Sequence, residues 1–382
     1  MVIWQNKKSY RRLVCKEGEM SHQRSRIQPC VFIPFFLSRL TSASCLGQAC
    51  LLASLVACLT IGFSINTALA APTADDIMKA LPISDSKKED VLNGDVVKWT
   101  TVEAGERELA VGIIMLMKAT PEKAAQLFRG AEGYKLTEAI TAFGSISGQG
   151  TEADFANMVL EPNGEDEAAR YLDAEPGEDY NLDKKEIAAF QALKAKSKDG
   201  TGNQKAVEAL IRKNFLTRLQ AYQAKGLAGV SPYERGDNKE RMSSQEILLS
   251  VDANKILSTL YPKFSEVLHN YPNADMTGVE ESFTWMNIRV FSRPLLVLTH
   301  RMLYQDGETY VVSDRHFYAS HEYNSLQAVG GVWPKNGGSL LVYLYRVSTD
   351  QVGGFGSAMK HPISRALMGP YIEELFEKIR AQ

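Results

Sequence analysis

The chain has 382 residues, with 43 Lys and Arg against 45 Asp and Glu, a formal charge of −2, and five cysteines. That average conceals a split: residues 1–70 hold eight basic and two acidic side chains and all the cysteines, leaving a body of 312 residues with a balance of −8 and no thiol. This excludes a disulfide framework, a Cys-ligated metal and a cysteine nucleophile from the body, and an acidic body without a long basic run argues against nucleic acid as a partner.

The run Ala49–Phe63 (ACLLASLVACLTIGF) carries no charge, and polarity returns at APTADD after SINTALA. A charged stretch, a short apolar core and an Ala-x-Ala site describe a secretory signal, with Ala68 and Ala70 at −3 and −1 and cleavage before Ala71. The apolar run is shorter than the roughly 20 residues that a membrane span needs, which favours cleavage over anchoring. An ordinary signal occupies roughly 15–30 residues, so here either translation starts downstream of Met1 or the leader is extended. An uncleaved leader remains as an alternative and would be the protein's only membrane contact. Lipidation of Cys58 after Leu55-Val56-Ala57 is disfavoured, because the apolar run continues past Cys58. Export predicts a periplasmic or secreted domain held by packing alone, and a body of this size can bury roughly 75% of its unfolded surface.

Along the body, Ala74–Leu81 reads as a short helix and Asp95–Val102 and Leu109–Lys118 as strands turning at Gly105. Thr120 and Pro121 are placed to start a helix over PEKAAQLFRG, and Ala139–Ile146 follows as a strand. From 151 to 270 the pattern is helical, with expected helices at Thr151–Leu160, Asp183–Lys196, Asn203–Lys225 and Ser244–His269. Val207, Ile211, Phe215, Leu219 and Tyr222 form one apolar stripe, the pattern of a helix packed on a core. The linkers, among them Ser231–Asn238, read as surface loops. Five β-rich runs then follow, Ser282–Val290, Leu295–Tyr304, Thr309–Ser320, Tyr323–Trp333 and Ser339–Val347. Their short connections predict an antiparallel meander. A terminal amphipathic helix carries Ile363, Leu367, Ile372, Leu375, Phe376 and Ile379, with Gly369-Pro370 expected to kink or split it.

This order resembles the helix-grip fold of the START-like superfamily of lipid- and hydrophobe-binding domains. The resemblance implies an α+β fold in which a curved antiparallel sheet wraps a C-terminal helix and leaves a cavity between them. Residues 71–150 would form its first part, 151–270 a helical insertion after the second or third strand, and 271–382 the remaining strands and the helix. A second resemblance lies in the blocks Tyr222-Gln-Ala-Lys-Gly226, Phe283-Thr-Trp285, Phe317-Tyr-Ala-Ser-His321 with Tyr323, and Leu341-Val-Tyr-Leu-Tyr-Arg346 followed by Asp350. These look like a family of uncharacterised exported bacterial proteins, which implies one exported domain and says nothing of its chemistry. Many relatives carry a Cys-x-Pro-Gly-x-Cys turn where this chain has Ala174-Glu-Pro-Gly-Glu-Asp179.

The densest polar and aromatic segment is Arg315–Tyr323. Strand alternation sends Phe317, Ala319 and His321 to one face and His316, Tyr318 and Ser320 to the other. His321 could fix a ligand headgroup or act as a general base beside Tyr318 or Tyr323, against the plainer reading of a cross-strand hydrogen-bonded histidine. His300 and Arg301 face opposite ways, so only one can point inward with His321. Trp99, Trp285 and Trp333 fall on strands and can share one interior. Arg346 either meets an anionic headgroup or pairs with Asp350. No histidine has metal-ligand spacing, and no Walker, dinucleotide or Gly-x-Ser-x-Gly fingerprint occurs, so neither a metal nor a cofactor is expected. The expected function is an exported binding protein for a lipid or hydrophobic small molecule, without catalysis. The alternatives are a START-like cyclase or hydrolase using His321 with a tyrosine, and an envelope scaffold that docks a protein partner on 151–270.

Overall fold

The computed structural model describes residues 71–129, 132–196 and 203–381. Ala71–Gln382 forms one unit; the expected signal, with Ala68 and Ala70, lies outside the described residues. Two short helices lead in. They are α1 (Ala74–Ala80), opened by a reciprocal capping box between Thr73 and Asp76, and α2 (Asp85–Leu92), capped by Ser84. β1 (Val97–Thr100) and β2 (Glu108–Met117) pair antiparallel. α3 (Pro121–Arg129) starts where predicted, with the Thr120 hydroxyl accepting from the Lys123 N–H at 3.4 Å. β3 (Ile140–Ile146) follows.

The helical block comprises α4 (Gly164–Leu172), α5 (Lys184–Lys196), α6 (Gln204–Lys225), the hairpin β4 (Tyr233–Gly236) and β5 (Lys239–Arg241), α7 (Ser243–Asp252), α8 (Lys255–Leu260) and α9 (Pro262–Asn270). Three expectations are corrected here. Thr151–Leu160 contains only a 3-10 turn, Glu152–Phe155, because its buried Met158 and Leu160 are spaced for an extended exit. The single helix expected over Ser244–His269 is three, since the Asn254 side chain caps α8 and Pro262 opens α9. The expected loop at Ser231–Asn238 contains half of a hairpin whose turn residues Gly236, Asp237 and Asn238 all have positive φ.

β6 (Val279–Val290), β7 (Arg293–Asp306), β8 (Thr309–Ala319), β9 (Ser325–Lys335) and β10 (Gly338–Ser348) form the predicted meander, and α10 (Ser357–Arg380) ends the described chain without being split at Gly369-Pro370. The fold is α+β, with one antiparallel sheet of eight strands in the order β1-β2-β10-β9-β8-β7-β6-β3. The sheet is open. β3 and β6 are neighbours in it, so the helical block leaves the sheet after β3 and returns at β6.

Alternation divides the sheet cleanly between two layers. Leu298, Met302, Val311, Val329, Trp333, Leu340 and Val342 join one continuous core with the block's helices, including the whole predicted stripe of α6. From the other face, Val111, Ile113, Val312, Val332, Leu341 and Tyr343 pack on Ala124, Ala125 and Phe128 of α3 and on Ile372, Phe376 and Ile379 of α10.

Candidate functional site

Beside the C-terminal end of α3 the apolar packing of this face is interrupted. On this face of β7, Leu295 and Val297 belong to one apolar cluster and Leu303 to another, with Thr299 and Arg301 between them. On β8 the same gap is filled by Asp314 and His316, between Val312 and Ala319. The pairing aligns them, Thr299 opposite His316 and Arg301 opposite Asp314. A polar seam thus crosses two neighbouring strands with apolar walls at both ends.

The Arg301 guanidinium donates to Asp314 at 2.6 Å and to the Phe128 carbonyl at 3.2 Å, and lies 4.9 Å from the Tyr134 ring centroid. Burial would lower the Arg301 pKa, but Asp314, Tyr134 and Tyr343 together outweigh it, so the group stays charged. Tyr134 shares a 3.0 Å hydrogen bond with Thr284, and Tyr323 a 2.6 Å one with His316 Nδ1. Burial pushes the His316 pKa down to about 4, leaving a neutral imidazole at pH 7. Three atoms of the seam, Thr299 Oγ1, Arg301 Nε and Asp314 Oδ1, are buried without a hydrogen-bond partner. Such atoms are costly unless something completes them. The seam can therefore receive and donate hydrogen bonds in an apolar setting while its one ion pair leaves no net charge.

The residues singled out in the sequence are distributed over both layers. His321 lies in the bend after β8, 2% exposed, with Nε2 at 3.0 Å from the Pro294 carbonyl and Nδ1 at 3.2 Å from Glu322. Tyr318 faces the block's helices, under the Arg218 guanidinium at 4.2 Å and edge-on to Phe215. The expected alternation through this segment is overturned. A bulge places Leu298 opposite Tyr318 and the next residue, Thr299, opposite His316, so Phe317 and Tyr318 both turn toward α6 while His316 and Ala319 face the other way. Tyr323 joins the seam.

His300 is on the block side, between the Tyr222 hydroxyl at 3.0 Å and Glu281 at 3.0 Å, its pKa lowered by burial to about 4. Trp285 is also there, its indole donating to the Asp154 carbonyl at 2.8 Å, in one core with Trp99 and Trp333. The expected pair of Arg346 with Asp350 does not form. Arg346 meets Glu108 at 2.7 Å, because β10 pairs with β2 in a register that sets Ser348 opposite Glu108 and leaves Arg346 diagonal to it. Of the six residues expected to meet a ligand only Tyr323 touches the seam, while Arg301 and His316, named beside them, belong to it. Thr299 and Asp314 were missed, although Thr-x-Arg and Asp-x-His at i and i+2, on a strand face whose neighbours are Leu295, Val297, Leu303, Val312 and Ala319, were a readable signal.

Among the described residues no group of three or more His, Asp or Glu side chains is placed to hold a metal ion, and no helix is long and apolar enough to cross a membrane. No family model, curated protein or solved structure matches the chain.

Proposed function

We propose that the protein is an exported, non-catalytic binding protein that holds a lipid or other hydrophobic small molecule between the sheet and α10. The observation that carries this reading is the seam, with three partnerless polar atoms between two apolar clusters, one of which packs on α3 and α10. A ligand with an apolar body and one polar end satisfies both: its methylenes contribute about 0.8 kcal/mol each when buried, and its polar end bonds Thr299, Arg301 and Asp314. The strand order supports the helix-grip resemblance. Taken from β2, the chain runs strand, α3, strand, five-stranded meander, α10, and the sheet runs β2-β10-β9-β8-β7-β6-β3. In this reading the helical block is an insertion after β3, and β1 is an added edge strand.

The test is native mass spectrometry and solvent extraction of the purified protein, repeated with Thr299→Val. The expected result is a co-purifying amphiphile in the wild type that is lost or weakened at least tenfold in the variant. A protein that carries nothing and binds no member of a panel of long-chain alcohols, amides and acids overturns the reading.

A further inference from the structure

Where β2 begins and β10 ends, the β4–β5 hairpin and α7 close a cleft of about 280 Å3, lined by Arg107, Glu108, Arg241, Gln245, Glu246 and Ser348 among others. Behind it lies Asp350, whose side chain is 7% exposed and accepts from three guanidinium groups. Arg107 Nε at 3.1 Å and Arg241 Nη2 at 2.7 Å share Oδ1, and Arg235 Nε meets Oδ2 at 2.9 Å. Arg235 is further engaged by Asn181, Asn324 and the Gly177 carbonyl. Arg107 and Arg241 instead line the cleft. Arg241 Nε is buried without a hydrogen-bond partner, 3.7 Å from Glu246 Oε1, and Glu246 Oε2 is buried without one as well.

The other carboxylates do not complete this arrangement. Glu108 is taken by Arg346, the Ser250 hydroxyl and the Ala104 N–H. Glu106 meets Arg107 at 2.6 Å from an exposed position, and Glu240 is exposed at the rim. Three guanidinium groups therefore share Asp350, with exposed Glu106 on Arg107 and Glu246 at 3.7 Å from Arg241 Nε as the remaining counter-charges, and that Nε makes no hydrogen bond. When Glu246 is neutral the three guanidinium groups exceed their carboxylates by one, and that partly buried charge costs free energy until a counter-charge arrives.

We propose that this cleft binds a small oxyanion, of the carboxylate or sulfate type, between Arg107, Arg241 and the unpartnered Oε2 of Glu246. Burial raises the Glu246 pKa to about 7, with Asp350 adding to the rise and Arg241, Asn324 and Arg107 opposing it. Below that pH, Oε2 changes from an acceptor that repels an anion into a donor that holds it, so binding takes up a proton. The site is separate from the seam on β7 and β8 and does not depend on it.

Sulfate and acetate, both fully ionised above pH 6, are titrated calorimetrically into the purified protein at pH 6 and pH 8. One carboxyl titrating near pH 7 gives about tenfold tighter binding at pH 6. Glu246→Gln is expected to bind equally at both pH values, close to the wild-type level at pH 6. Arg107→Ala, at the cleft rim, and Arg241→Ala are expected to lose at least tenfold, with circular dichroism establishing that each is folded. No binding by the wild type at pH 6, or wild-type affinity in both folded arginine variants, overturns the site. A pH dependence that persists in Glu246→Gln overturns the role of that carboxyl.

Discussion

Tyr222 shows how one side chain can join two layers. Its hydroxyl accepts from Arg315 Nη1 at 3.1 Å and lies 3.0 Å from His300 Nδ1, while its ring stacks on Phe317 at 4.1 Å. His300 is neutral at pH 7, and its Nε2 faces Glu281, whose pKa is lowered by that hydrogen bond. Nε2 therefore carries the proton and Nδ1 accepts from Tyr222. Arg315 is pinned in turn by Gln327 and the Leu268 carbonyl. Tyr222→Phe keeps the ring stack and removes the hydroxyl alone, leaving His300 Nδ1 and Arg315 Nη1 short of a partner. The expected loss is about 1–3 kcal/mol, read as a lowered urea midpoint. Ligand binding at the seam should be unchanged, because Tyr222 packs on the opposite face of the sheet; a loss of binding without a loss of stability would contradict this placement.

Between elements, the strand pairs are fitted by glycine facing tryptophan. Gly112 of β2 lies opposite Trp99 of β1, and Gly144 of β3 opposite Trp285 of β6. A Cβ at either glycine would run into the indole ring. Gly144→Val is therefore expected to destabilise by about 1–3 kcal/mol, with part of the loss recovered when Trp285→Leu is added; thermal melts of the two variants decide it, and an unchanged Gly144→Val would show that the ring simply moves aside. This scale also explains what could be read beforehand. The meander, the α6 stripe and the start of α3 were legible because period, turn residues and caps are local signals. The bulge at Phe317 was not, since only the pairing with β7 fixes which residue is extra, and one such residue reversed the facing of Tyr318 and Ala319 relative to Phe317. Arg346 went to Glu108 for the same kind of reason, a register that no local pattern reveals.

For the whole molecule, the buried titratable groups set a pH window for stability. His300 and His316, one on each face of the sheet, have folded pKa values lowered to about 4 from 6.5. The unfolded chain binds their protons first, so stability falls as pH drops below 6.5, by about 3 kcal/mol for each histidine once pH is below 4. Glu281, half-exposed and held below its ordinary pKa by His300, adds to the loss below pH 4.5. Glu246 acts in the other direction. Its folded pKa of about 7 is raised from 4.5, so its neutral form costs nothing below 4.5 and stability is lost as pH rises through 7. The two trends meet between about pH 6 and 7, where the urea midpoint should be highest. Glu246→Gln should flatten the alkaline side and steepen the fall between pH 6.5 and 4.5, where the wild-type carboxyl offsets one of the two imidazoles, whereas His316→Gln should level that fall. A midpoint that stays level from pH 7 to pH 5 in the wild type would mean that both imidazoles already reach water in the folded state, and the seam would then be open to solvent.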